Sequence, residues 1–181
     1  RVLILGVGTV GMLAMQIAKS RGAEVFAADT RQMSLDMAGD LGADAVINAD
    51  DPGARDILRE LTNGIGPDKV IDAAGGPQTP SIAVDWVRTG GRVVLVAIYT
   101  VTAAIDFNSV VGTEKQIIGS IAYDQKDVEE VVDLISSGAL KTQPLISGVI
   151  GLDEVIDVGF QRMMAPTKDV FRILVAPFGG S

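Results

Sequence analysis

Apolar and polar positions follow one another along the chain in two rhythms. "RVLILG" at residues 1–6 is a continuous apolar run closed by glycine, the pattern of a strand covered on both faces. "VGMLAMQIAKSRG" then sets Val10, Leu13, Ala14, Ile17 and Ala18 at the 3.6-residue spacing of one helix face, with Gly22 as its stop. The pairing repeats. "EVFAAD" predicts a second strand and "QMSLDMAGDLGA" a second helix, in which Gly39 is a weak point worth about 1 kcal/mol. "DAVIN" is a third strand, followed by "DPGARDILRELTNG", a helix started by Asp51 with Pro52 at its first position. "KVIDAAG", "RVVLVAIY" and "KQIIGSIA" predict the fourth, fifth and sixth strands. Between the fourth and fifth lies the helix "PSIAVDWVRTGG", with Ser81 near its start.

Strands separated by helices of this length require right-handed crossovers and a parallel sheet. The predicted fold is α/β: a doubly wound, parallel, six-stranded sheet over residues 1–122. Residues 123–142 hold an amphipathic helix, "DQKDVEEVVDLISSGAL", that closes the domain. From 143 to 181 the rhythm changes to an extended "QPLISGVIG", a helical "LDEVIDVGFQRMMA" and a strand "DVFRILVAP". No internal repeat or low-complexity linker occurs.

Composition sharpens this picture. Of 181 residues, 48% are apolar, as expected for a sheet buried on both faces or for a face awaiting a partner. Charges such as Lys19, Arg21 and Asp29 break every apolar run well short of the roughly 20 residues of a membrane span. A net charge of −8 argues against nucleic acid or an anionic membrane as partner. The chain has no cysteine, which suits a reducing, cytoplasmic location, and no secretory leader pattern. It also has no histidine, so the commonest metal ligand and the commonest neutral-pH base are both missing. Neither a catalytic residue nor a metal ligand can be assigned within it.

One motif carries chemistry. Gly6-Val7-Gly8-Thr9-Val10-Gly11 is G-x-G-x-x-G, placed directly after a strand and opening a helix. Gly6 permits the tight turn, Gly8 lets backbone approach a diphosphate, and Gly11 lets helix lie close on strand. The helix N-terminus offers free N–H groups and a positive dipole end. Alone the motif is weak. It gains weight from Asp29, which ends the second strand where a carboxylate meets ribose hydroxyls, although a solvated strand-end aspartate would look the same in sequence. A 2′-phosphate about 4 Å from Asp29 would be repelled by about 4 kcal/mol per charge pair at an effective dielectric of 20. NAD is therefore expected over NADP, with Arg31 as the residue that could accommodate the phosphate instead.

These residues resemble the cofactor-binding half of the medium-chain, zinc-type alcohol dehydrogenases. The likeness extends over nearly the whole chain, through "VLILGVGTVGMLAMQIAKSRGA", "VFAADTR", "LDMAGDLGADAVIN", "DKVIDAAGGPQT", "VRTGGRVVLVAIY" and "PLISGVIGLDEVIDVGF". "GADAVIN" and "RTGGRVVLV" are its most specific pieces, and the C-terminal part looks most like the polyol and butanediol branch. The resemblance implies an NAD-dependent oxidoreductase moving hydride between nicotinamide and a secondary alcohol or its ketone. It implies that the backbone of Thr9 and Val10 reaches the diphosphate. Ala73 and Ala74 would line the adenine side, Val96, Ala97 and Ile98 the nicotinamide, and Ser120 and Ala122 its carboxamide. Two positions depart from the family: Ser34 stands where a basic residue often lies beside the ribose, leaving Asp29 without a neighbouring cation, and Ala97 stands where glycine is common.

The resemblance further implies a preceding GroES-like catalytic domain that supplies a catalytic zinc and the proton relay. Arg1 is then where a longer polypeptide has been cut, and such a fragment alone binds cofactor without turnover. Residues 143–181 would belong to that missing domain, and are expected to be poorly ordered, repacked or engaged by a neighbour. The segment Ile105–Ile121 is where this superfamily pairs sheets, so a homodimer or tetramer is expected. Other readings are a zinc-free quinone or enoyl reductase of the same superfamily, and a non-catalytic nucleotide-sensing domain. A methyltransferase fits less well, because its glycine loop departs from this spacing.

Overall fold

The computed structural model describes residues 1–165, 167 and 169–178; within the expected C-terminal segment, positions 166, 168 and 179–181 lie outside the described residues. The chain divides into two compact units, Arg1–Leu140 and Lys141–Ser181.

The first unit is built on six strands: β1 (Val2–Leu5), β2 (Val25–Asp29), β3 (Ala45–Asn48), β4 (Lys69–Asp72), β5 (Arg92–Leu95) and β6 (Gln116–Gly119). Every neighbouring pair is parallel and the order is β3-β2-β1-β4-β5-β6, the doubly wound six-stranded sheet that the sequence pattern requires. Helices α1 (Thr9–Ser20), α2 (Gln32–Asp40), α3 (Ala54–Leu61) and α4 (Thr79–Trp86) make the crossovers. The winding reverses between β1 and β4, which opens a crevice at their carboxyl ends. Leu5 is level with Ala28 and Asp72, and Asp72 with Leu95, so the loops leaving these strands emerge along one edge. Leu3, Phe26, Val70 and Val93 of the sheet pack with Leu58 of α3 and Val84 of α4 in one fully buried cluster.

Four details depart from the pattern. Helix α3 begins at Ala54 rather than at Pro52, because the Asp51 carboxylate accepts the Gly53 N–H at 2.7 Å and holds Pro52 in a turn. Strand β5 stops at Leu95, four residues before the end of its apolar run. The N–H groups of Val96 and Ala97 both turn to the Asp72 carbonyl, at 3.0 and 3.2 Å, which breaks the ladder. Strand β6 is likewise confined to Gln116–Gly119. A short helix not anticipated, α5 (Phe107–Gly112), starts where the Asp106 carboxylate accepts the Asn108 N–H at 2.9 Å. Helix α6 (Gln125–Ser136) follows β6 and opens with a reciprocal cap between Asp124 and Asp127.

The second unit pairs β7 (Ile146–Gly151) with β8 (Arg172–Ala176) in parallel. Between them run a 3-10 turn Leu152–Glu154, a π-helical turn Val155–Phe160 and α7 (Gln161–Met164). Ile150 is buried in this unit, and Gly159 leaves it room: a β-carbon there would lie 3.0 Å from the Ile150 side chain.

Two close fits shape the carboxyl edge of the first sheet. Helix α1 lies so near β1 that a β-carbon on Gly11 would overlap the Gly6 carbonyl oxygen and reach 3.2 Å from Ile4. The other is polar. The Asp72 carboxylate, fully buried at the end of β4, accepts from the Ala74 N–H at 3.0 Å and the Gly75 N–H at 3.5 Å, from Thr79 Oγ1 at 2.6 Å and from Tyr99 Oη at 2.7 Å. It thereby ties the loop after β4 to the loop after β5. Burial first, then the hydrogen bond to Asp72 and its negative charge, push the Tyr99 phenol above its ordinary pKa.

Gly11→Ala is expected to destabilise the protein by about 1–3 kcal/mol through overpacking, read from urea midpoints. Tyr99→Phe deletes one donor to a buried carboxylate and is expected to cost about 1.5–3 kcal/mol. Because the fold favours the neutral phenol, Tyr99's contribution is fully present below the ordinary tyrosine pKa of about 10 and fades as pH rises through the raised value. An alkaline absorbance titration of wild type against Tyr99→Phe checks this. A phenolate in the folded wild type near pH ~10 at this position would contradict it.

Candidate functional site

The carboxyl edge gathers most of the residues singled out in sequence. Gly6 has φ +87°, and a β-carbon on it would sit 2.6 Å from the backbone of Ala74, so the turn after β1 lies against the loop after β4. Glycine is required there on both counts. Gly8 is different. It forms the N-cap of α1 with extended backbone, and the nearest atom to a β-carbon built on it is Arg31 Nη2 at 3.8 Å, an ordinary contact. The chain itself does not demand glycine at this position; the space in front of it is open.

That space faces the start of α1. Its N-cap, Gly8, has no side chain to cap it and its first turn holds no acidic residue, so no carboxylate of the helix itself neutralises its positive end. Thr9 and Val10 form the first turn, with Val10 exposed. Asp29 closes the far side of the turn. Its carboxylate is 8% exposed; Oδ2 accepts the Val7 N–H at 2.8 Å, inside the glycine motif. Oδ1 accepts the Arg31 N–H at 2.9 Å and lies 3.4 Å from Arg31 Nε. This overturns the expectation that Asp29 lacks a neighbouring cation. Ser34, where a base was missed, is fully buried in α2 with its hydroxyl unpartnered, whereas Arg31 supplies the positive charge from the other side.

The remaining residues distribute along the same edge. Ala73 donates its N–H to the Leu5 carbonyl at 2.8 Å, and Ala74 packs on Gly6 as described. Val96 and Ala97 are half-buried just beyond β5, and Ile98 is 80% exposed. A β-carbon on Gly75 would touch the Ile98 carbonyl oxygen at 3.1 Å and Ala97 Cβ at 3.2 Å, so these two loops meet. Ser120 is tied by its N–H to the Leu95 carbonyl at 3.0 Å, and Ala122 is exposed with φ +61°. Gly6, Gly8, Gly11, Asp29, Arg31 and Ala74 thus form one constellation, and Ala97 and Ile98 join it through Gly75. Ser120 and Ala122 lie further along the edge, beyond β6. Sequence reading passed over Asp72 and Tyr99, which hold this edge together. The signal was there: an aspartate ends the apolar run of β4 just as Asp29 ends that of β2.

The arrangement suits a dinucleotide. An open, uncapped helix start bordered by a guanidinium takes a diphosphate, and a carboxylate with unused lone pairs takes ribose hydroxyls. It does not suit zinc. The chain has neither Cys nor His, and among the described residues no group of three Asp or Glu side chains could hold a metal ion. Nor, among the described residues, is any helix long and apolar enough to cross a membrane.

The chain is similar to known proteins in sequence and in fold. The family profile described as zinc-binding dehydrogenase matches residues 9–137. The (R,R)-butanediol dehydrogenase of Neisseria gonorrhoeae (strain ATCC 700825 / FA 1090) is 27% identical over 176 residues, which is 97% of this chain and 49% of that protein. An alcohol dehydrogenase of Escherichia coli CFT073, solved with NADH, superposes with a TM-score of 0.86 at 26% identity, covering 97% of this chain and 51% of the other. A Sinorhizobium meliloti 1021 protein described as a zinc-binding dehydrogenase and bound to NADP gives 0.83 at 28% identity, covering 97% and 52%. The chain spans about half the length of the curated relatives it matches. It belongs to the zinc-binding dehydrogenase family and carries that family's nucleotide-binding domain.

Proposed function

We propose that this chain is the NAD(H)-binding part of a zinc-type dehydrogenase that moves hydride between a secondary alcohol or polyol and nicotinamide. The observation that carries the reading is the open cradle at Gly8, flanked by the uncapped start of α1 and by Asp29. The butanediol dehydrogenase likeness supports the substrate class.

In this reading the bound cofactor supplies the hydride acceptor or donor at its nicotinamide ring. The chain's own residues bind and orient. Backbone N–H groups at the start of α1 meet the diphosphate, and Gly8 lets it approach the main chain. Asp29 accepts from the ribose hydroxyls. The Gly75–Ile98 contact sets the wall against which the nicotinamide end lies, with Val96 and Ala97 on that wall and Ser120 and Ala122 toward the carboxamide. In this reading zinc ligands of the Cys and His type come from outside these 181 residues, which contain neither. An exposed apolar band on the β6 side, with Val111 78%, Ile118 42% and Ile121 86% exposed, supports self-association through that edge.

NAD is the preferred form. Asp29 opposes a 2′-phosphate, and even with Arg31 cancelling half of the roughly 4 kcal/mol repulsion, about 2 kcal/mol remains, or about 30-fold. Calorimetric titration with NAD, NADH and NADP tests this. NAD and NADH are expected to bind, and NADP about 30-fold more weakly. Asp29→Asn keeps the acceptor for the Val7 N–H while deleting the charge, and should bring the two cofactors to within about threefold of each other. Absence of binding by any of them at millimolar concentration would end the proposal, and equal affinity in the wild type would end its NAD preference.

A further inference from the structure

The opposite edge of the first sheet holds a second candidate site. Where chain enters β4, β5 and β6, between α3 and α4, there is a cavity of about 280 Å³. Its wall includes Arg55, Arg59, Arg88 and Lys115 against a single carboxylate, Asp85, with Trp86 beside them. This is unusual company in a protein with 15 basic and 23 acidic residues. The local charges do not cancel. Asp85 is paired with Arg55 at 2.9 Å, and Arg88 with Asp68 at 2.7 Å. Arg59 and Lys115 have no carboxylate within ion-pair distance among the described residues.

Lys115 is the telling member. Its ammonium is half-buried and donates to the Val84 carbonyl at 2.7 Å, which leaves two of its three donors for other acceptors. Burial, opposed only in part by the charge of Asp85, pulls its pKa below the ordinary lysine value. A cation held in that condition gains from an anion brought beside it. Arg59 presents an exposed guanidinium, whose fork matches the oxygens of an oxyanion two at a time. Arg88 uses its Nε on Asp68 and Nη1 on the Thr89 carbonyl and still has donors to give.

We infer that this cavity is an anion site for a phosphate-class dianion, either free phosphate or the phosphoryl group of a small phosphomonoester. Arg59 and Lys115 supply the two uncompensated charges that a dianion requires, and Arg88 supplies further N–H donors. The cavity lies at the amino ends of the strands, whereas the glycine turn lies at their carboxyl ends, so the site does not rest on the dinucleotide reading.

The chain's only tryptophan, Trp86, lines the cavity and reports on it. Inorganic phosphate and, in parallel, glycerol 3-phosphate are titrated at ionic strength matched with chloride, following Trp86 emission. Saturable change with either at millimolar concentration is expected, and the stronger of the two shows which source the site prefers. Arg59→Ala and Lys115→Met should each weaken binding about tenfold, and Lys115→Arg should restore most of it. The Arg59 side chain is exposed and makes no hydrogen bond or ion pair among the described residues, so its variant keeps the test valid if Lys115→Met does not fold. Saturating NAD should leave the titration unchanged. The proposal falls if chloride reproduces the signal, if NAD displaces the phosphate, or if Arg59→Ala binds as tightly as wild type.

Discussion

A helix can approach a strand only as closely as its smallest side chain permits, and α1 uses that limit fully. At Gly11 there is no room for even a methyl group, because the Gly6 carbonyl occupies the place. The approach fixes where the start of α1 stands, directly over the turn after β1. That turn is pinned on both flanks: Gly6 lies on the backbone of Ala74, and Val7 donates to Asp29. Ala74 in turn donates to Asp72, which also holds Gly75, Thr79 and Tyr99. The loops of β1, β2, β4 and β5 are therefore one interlocked edge, and a change at any of these contacts loosens the rest. Such an edge is in place before any ligand arrives, so little ordering cost remains at the moment of binding.

The two strand-end aspartates show how one residue type takes two jobs. An ionised carboxylate offers about four lone-pair sites. Asp72 is met by four donors and is fully buried, so it is filled. Asp29 is met by the Val7 N–H and by two groups of Arg31, the second at a long 3.4 Å, and part of it reaches solvent. One is a structural tie; the other keeps capacity for a ligand. Their sequence contexts, "VFAAD" and "KVID", are nearly alike, which is why only the one at the family's expected position was read as functional.

The doubly wound parallel sheet of six strands was legible because buried parallel strands are short apolar runs bounded by glycine and aspartate and joined by helical crossovers. Less visible were features that depend on a few atoms. Helix α5 is only six residues long, too short for a periodic face, and its start rests on one Asp106 bond. The end of β5 is decided by two N–H groups turning to Asp72, which no apolar pattern records. Arg31 was underread for a geometric reason. It precedes α2 in extended backbone, φ −97° and ψ 122°, just past a bend at Thr30, and there its N–H and Nε both come to Asp29 Oδ1. Ser34, counted from the family pattern, lies inside the helix and is buried.

The two edges of the sheet draw charge by opposite means. In a doubly wound fold each helix returns antiparallel to its strand, so helix starts collect at the carboxyl edge and helix ends at the amino edge. At the carboxyl edge the backbone itself is positive, and α1 starts there from a glycine N-cap with no acidic residue in its first turn. At the amino edge the backbone is negative, and cations gather to satisfy it: Arg59 stands in the last turn of α3, and Lys115 donates to Val84 near the end of α4. Arg88 stands two residues past the end of α4 and bonds the Thr89 carbonyl. Only Lys115 is bonded to a carbonyl of a helix end; Arg88 is held by Asp68 and Thr89, and the Arg59 side chain makes no bond among the described residues. Their charges are not cancelled, because the helix-end carbonyls carry partial charges and the side chains whole ones. The surplus is left facing a cavity, and an acidic chain with so few cations to place has put it there.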